Sequence, residues 1–194
     1  MKSLMYIIVC LAVLFHAFQL VADTNPENKF KAADPVLLTS AGQSADILMA
    51  KILAQKAGLD FVLDKTADEQ NLDSVSSVII VTGGSTKGLG AAKIDKEDEY
   101  KRVESVLVAA KEKKKPVIVM HLGGKSRRGA LSDYFNKLSA EHADYLIVVK
   151  GGDEDGFFAA IAKEKSIKLE LTDKIINVQK ILENIYGKNK DSEE

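Results

Sequence analysis

The chain reads as an α/β domain: a doubly wound, mostly parallel sheet of five to six strands with helices on both faces, flavodoxin-like or Rossmann-like. Three observations predict it. Runs such as Val78-Ile79-Ile80-Val81 are apolar without alternation, as strands covered on both faces are. Segments with helical spacing separate those runs. Glycine-rich loops follow several of them, and folds of this class bind ligands beyond the carboxyl ends of their strands.

The elements follow in order. Residues 36–39 form a first strand, ended by the small, polar loop Ser40-Ala41-Gly42-Gln43. Ser44 can cap a helix carrying Ile47, Leu48, Ile52 and Leu53 on one side, with Gly58 at its end. Residues 61–64 are a short strand, and 77–82 the strongest one, β-branched through its centre. The stretch 83–90 reads as a glycine-rich loop. Asp95 starts a charged helix whose apolar stripe is Tyr100, Val103, Leu107 and Ala110. Pro116 stops it before a strand at 117–121. Leu131, Phe135 and Leu138 mark a short helix, 145–149 another buried strand, 157–165 a helix and 168–171 an edge strand. A last helix at 173–186 carries Ile175, Val178, Ile181, Leu182 and Ile185. Right-handed crossovers and a strand order 2-1-3-4-5 put the switch point between the first and third strands.

Outside this domain, assigned to residues 35–187, residues 1–22 have the layout of a secretory signal peptide: Lys2, an apolar run, and a more polar exit ending in Ala22. The expectation is therefore an exported protein, periplasmic or extracellular. The alternative is an uncleaved membrane anchor at residues 4–22, close to the ~20 residues that span a bilayer. Residues 23–34 read as a linker and 188–194 as a polar tail. Cys10, the single cysteine, lies inside the apolar segment, so the rest of the chain offers no disulfide, thiolate or cysteine metal site.

A formal net charge of −1 over 194 residues argues against general nucleic-acid binding. The cationic run Lys111-Glu112-Lys113-Lys114-Lys115 ends a helix, where lysines suit the dipole. Two other cation-bearing loops attract more interest. Gly83-Gly84-Ser85-Thr86-Lys87-Gly88 follows the third strand, and Gly123-Gly124-Lys125-Ser126-Arg127-Arg128 follows the strand ending in His121. If the strands are neighbours, backbone N–H groups and cations converge at one edge, an arrangement that holds anions. Ser40, Gln43 and Ser44 would join them from the first loop.

Several motifs come close and fail. The glycine string after Thr82 is one residue too long for a short-chain dehydrogenase, follows the wrong strand, and has no Tyr-x-x-x-Lys partner. A Walker loop lacks its Gly-Lys-Ser/Thr step, and Gly124-Lys125-Ser126-Arg127-Arg128 lacks the final glycine of a hydrolase elbow. Neither a cofactor nor a metal site is called for.

Residues 35–46, the Gly83–Gly90 loop, and residues 121–129 with 144–150 together resemble an uncharacterised family of small exported bacterial α/β proteins, a domain of unknown function. The similarity covers most of 35–186. It implies the fold, export and a bacterial source, and transfers no catalytic residue.

The leading expectation is an exported binding protein for a small anionic or polyhydroxylated ligand, more a binder than an enzyme. In this reading Lys87, Arg127 and Arg128 hold the charge, while Ser40, Ser85 and the Gly83–Gly90 backbone orient the ligand. Two alternatives stay open. One is an enzyme on a phosphorylated or carboxylated substrate, with His121 as acid–base. The other is an interaction module whose glycines are only structural.

Overall fold

The apolar runs do become strands of one parallel sheet. The computed structural model describes residues 30–188. The expected leader, the first part of the expected linker and the tail from 189 lie outside the described residues. The strands are β1 (Val36–Ala41), β2 (Phe61–Leu63), β3 (Ser77–Thr82), β4 (Val117–His121), β5 (Tyr145–Val149) and β6 (Lys168–Thr172). Their order is β2-β1-β3-β4-β5-β6, parallel throughout. The order reverses at β1, so β1 and β3 flank the switch point, as in flavodoxin-like sheets.

Among the described residues, six α-helices cover the sheet: α1 (Asp46–Lys56), α2 (Thr86–Ala92), α3 (Lys96–Glu112), α4 (Ala130–Glu141), α5 (Phe157–Lys165) and α6 (Val178–Tyr186). Alternate residues of each strand point to opposite faces. Val36, Leu38, Ile79, Val81, Ile118 and Met120 pack with α1 and α6. Leu37, Val78, Ile80, Val117 and Val119 pack with α3, α4 and α5. That is why the central strands lack a polar face. No helix among the described residues is long and apolar enough to cross a membrane.

Several local expectations change. Strand β1 runs on through Ser40 and Ala41, which read as loop, because both are buried in the sheet. Residues 86–92 form a helix where the two glycines read as loop; Ser85 starts it by accepting from Gly88 N. The last helix begins at Val178, after a single turn at Ile175–Asn177. In α1 the sheet-facing residues are Ile47, Ala50, Leu53 and Ala54, while Leu48 and Ile52 face outward, about half exposed. The helix is apolar nearly all round, so composition alone did not mark its inner face. Residues 30–34, read as linker, are fastened down: Phe30 rests on the Tyr145 ring, and Ala32 N donates to Ile185 O.

Candidate functional site

The four loops that follow β1, β3, β4 and β5 meet at the carboxyl edge of the sheet. There they bond to one another and approach closely.

The β1 loop turns at Gly42 (φ 91°) and Gln43 (φ 58°), both left-handed. This unusual backbone is held by Glu99, one turn into α3 and wholly buried. Glu99 Oε1 accepts from Gly42 N at 2.9 Å and from Gln43 Nε2 at 3.0 Å. Arg102, one turn further, donates to both Glu99 oxygens at 2.9 Å and to the carbonyls of Ser40 and Ala67. Two residues expected in a binding site are thus spent on the fold: Gln43 also donates to Lys65 O, and Ser44 Oγ accepts from Asp46 N. Ser40 is wholly buried and its hydroxyl has no partner.

The β3 loop is threaded onto this one. Gly83 N donates to Ala41 O, Ser85 N to Gly42 O, and Gln43 and Gly84 form an isolated bridge. Gly84 N donates to Ser132 Oγ at 3.1 Å, which ties the loop to α4. The approach is so close that a Cβ on Gly88 would stand 1.8 Å from Gln43 O. Glycine is required there because another loop's backbone fills the space. Ser85 caps its own short helix, whereas Thr86 and Lys87 are exposed.

The β4 loop supplies the arginines. Arg127 lies over Gly83, with its Cβ and Cδ 3.4 Å from where a Gly83 Cβ would be, and donates to Asp46 Oδ2 at 3.1 Å. Gly123 is covered by the same Arg127 side chain and by Asp46. Arg128 donates to Asp133 Oδ1 at 2.7 Å, to Gly152 O at 2.6 Å and to both oxygens of Asp155 at 2.8 and 2.9 Å. A further bond reaches Asp133 Oδ2, and the guanidinium lies 4.5 Å over the Phe157 ring. With five N–H donors, its capacity is used up. Asp155, then Asp133, hold Arg128 protonated even more firmly than usual, and Arg128 in return holds the Asp155 carboxyl down at about 2. Burial pushes Asp133 upward, but Arg128, Asn136 and Gly129 N–H outweigh it and leave that carboxyl below its ordinary value. Lys125 is exposed, with only a loose approach to Glu154 at 3.5 Å.

His121 closes the series. It is wholly buried at the end of β4, its ring 4.9 Å from that of Phe158. Gly152 lies so near that a Cβ there would come 2.3 Å from the ring. Nε2 sits 3.1 Å from Gly124 O, so that nitrogen carries the proton and donates. Nδ1 is buried without a partner. Burial, and more weakly Arg128, depress the imidazole below its usual pKa and keep it neutral.

The loops that the sequence reading grouped do meet, but it missed Asp46, Glu99, Arg102, Asp133, Asn136 and Asp155, the residues that saturate them. One signal was available. Glu99, Val103, Val106 and Ala110 recur at helical spacing, which places Glu99 on the buried stripe of α3. Among the described residues, no group of three or more His, Cys, Asp or Glu is arranged to hold a metal.

No curated protein matches the chain. Solved structures similar to it include AlinE4, an SGNH-hydrolase family esterase, at 9% identity and TM-score 0.29, covering 69% of this chain and 72% of that one. A serine-to-alanine mutant of the same esterase aligns at 10% identity and TM-score 0.28, with the same coverage of each chain. A GDSL-like lipase from Bacteroides thetaiotaomicron VPI-5482 aligns at 15% identity and TM-score 0.33, covering 80% of this chain and 75% of that one. Likeness this loose assigns no role to any residue.

The expected anion-binding protein is overturned. In the structure, Arg127 and Arg128 already have carboxylate partners, and the N–H groups of Gly42, Gly83, Gly84 and Gly88 already donate within the protein. The expectation of an uncharacterised family holds: a family model described as a domain of unknown function (DUF6305) matches residues 33–186, and the chain belongs to that family.

Proposed function

We propose that this domain is an interaction module, and that it works by presenting the interlocked loops at its carboxyl edge as a rigid surface to a partner protein. The observation that carries this reading is the close approach of Gly88 to Gln43 O, with the similar approaches at Gly42, Gly84, Gly123 and Gly152. Loops cross-linked in this way lose little conformational freedom when something docks on them, which favours association. The exposed groups on this surface are of both signs: Lys87 and Lys125 beside Glu154 and Asp155. Mixed charge suits a protein partner better than a polyanion. Photo-cross-linking from position 126 in the native host tests it. One discrete adduct is expected at Ser126, lost when Lys87→Glu and Lys125→Glu are combined, and none from Lys137 on the flank of α4. Equal adducts at 126 and 137, or none at 126, would sink the reading.

A second reading, an enzyme with His121 as acid–base, draws on one observation. The ring is neutral and its Nδ1 is unpartnered, the state in which an imidazole can take up a proton. Gly152 would have to lift from the ring before substrate could reach it. Turnover of a phosphate or carboxylate ester by the wild type, abolished in His121→Ala, would favour this reading over the first.

A further inference from the structure

The opposite edge of the sheet has a different character. All strands start there, and the helices that run back along the sheet end there. Lys56 lies in the last turn of α1, Lys111 in that of α3, and Lys163 and Lys165 in that of α5. A groove of about 870 Å³ opens among the ends of α3, α4 and α5. Lys111, Lys114, Lys115 and Lys165 line it around an apolar floor that includes Phe30, Val117 and Ile167. Its acidic lining is Glu141 and Asp144, and Asp144 is engaged by Val117 N at 2.8 Å.

Matching of the helix dipole explains part of this charge. A helix end carries about half a negative charge, which one lysine offsets. The end of α3 has Lys111, Lys113, Lys114 and Lys115 against Glu112, well beyond that need. Lys113 bonds to Asp73 and Lys115 to Val75 O, but Lys111 and Lys114 are exposed and have no partner among the described residues. The far end of the same helix begins with Glu97, Asp98 and Glu99. Charge is therefore separated along α3. Phe30 adds a second observation, because the chain reaches the domain at this lysine-bearing pole. In sequence, the apolar run of residues 4–22 lies just before it.

We propose that this pole docks on an anionic membrane surface, with the lysines at the lipid headgroups and the carboxyl-edge loops turned away from the bilayer. The proposal is independent of what those loops bind. Lysines close to such a surface attract it through a field that decays over about 8 Å at physiological salt.

The test uses the chain from Asp23 onward, which retains every strand and both core clusters found among the described residues. It is sedimented with phosphatidylcholine vesicles made with or without phosphatidylserine. Binding is expected only with phosphatidylserine, and it should weaken as salt rises. Lys111→Glu combined with Lys114→Glu should reduce it about tenfold or more. The combination of Lys93→Glu and Lys101→Glu, an equal charge change on exposed residues elsewhere, should leave binding unchanged. Both double variants should stay folded and melt within a few degrees of the wild type, the first losing the small dipole contribution of Lys111. Equal binding to neutral vesicles, or equal loss in the two double variants, would overturn the proposal.

Discussion

Glu99 shows how much a single enclosed carboxylate can organise. Its two oxygens collect Gly42 N–H, the Gln43 amide and two guanidinium donors of Arg102. Removing one member of such a pair strands the other in a desolvated place. Glu99→Ala should therefore cost about 3–5 kcal/mol, and Arg102→Ala a comparable amount. The double variant should cost less than the two together, with a coupling of roughly 1–3 kcal/mol in urea unfolding. Simple additivity would mean that the two residues act independently. Contacts of this kind explain why the site was harder to read than the sheet. A sequence shows Arg127 and Arg128 as cations in a glycine-rich loop and says nothing of Asp46, 81 positions away, or Asp155, 27 positions away. Charges are legible one by one, and their pairing depends on a fold that no local pattern encodes.

At the level of elements, β3, β4 and β5 have the bounds the sequence predicts, because strands buried on both faces are apolar through their centres. Helices that are apolar all round, such as α1, or rich in glycine, such as α2, carry no comparable mark. Helix α2 holds two glycines with opposite meanings. Gly88 faces Gln43 O, whereas a Cβ on Gly90 would meet nothing within 4 Å. Gly90→Ala should then stabilise the protein by about 0.5–1 kcal/mol, because alanine restricts the unfolded chain and favours helix. Gly88→Ala should destabilise it by about 1–3 kcal/mol, because the backbones of two loops must separate to admit the methyl group. Thermal unfolding of the two variants checks both signs. If both substitutions stabilised, the interlocking of the β1 and β3 loops would be looser than the structure has it.

For the whole molecule, these linkages make stability depend on pH in two stages. His121 has a folded-state pKa below its unfolded value of about 6.5, chiefly through burial, with Arg128 adding to the effect. Above that pH the imidazole is neutral in both states and the full stability is present. As pH falls below it, the unfolded chain takes up a proton that the folded protein refuses, so stability declines until the folded ring itself titrates. The slope from this one group is at most about 1.4 kcal/mol per pH unit. Asp155, Asp133 and Asp34 act lower down. Arg128 holds Asp155 at about 2, Asp133 is lowered once Arg128, Asn136 and Gly129 outweigh its burial, and Lys188 leads the lowering of Asp34. Their contribution is complete above the unfolded carboxylate range near 4 and is lost as pH falls through the folded values. Urea midpoints measured from pH 8 to pH 3 should therefore show a shallow decline beginning near 6.5 and a steeper one beginning near 4. His121→Asn should abolish the first decline and leave the second, whatever it does to stability at neutral pH. A variant that kept the wild-type slope between about pH 6.5 and 4.5 would show that some other group, not the buried ring against Gly152, takes up the proton.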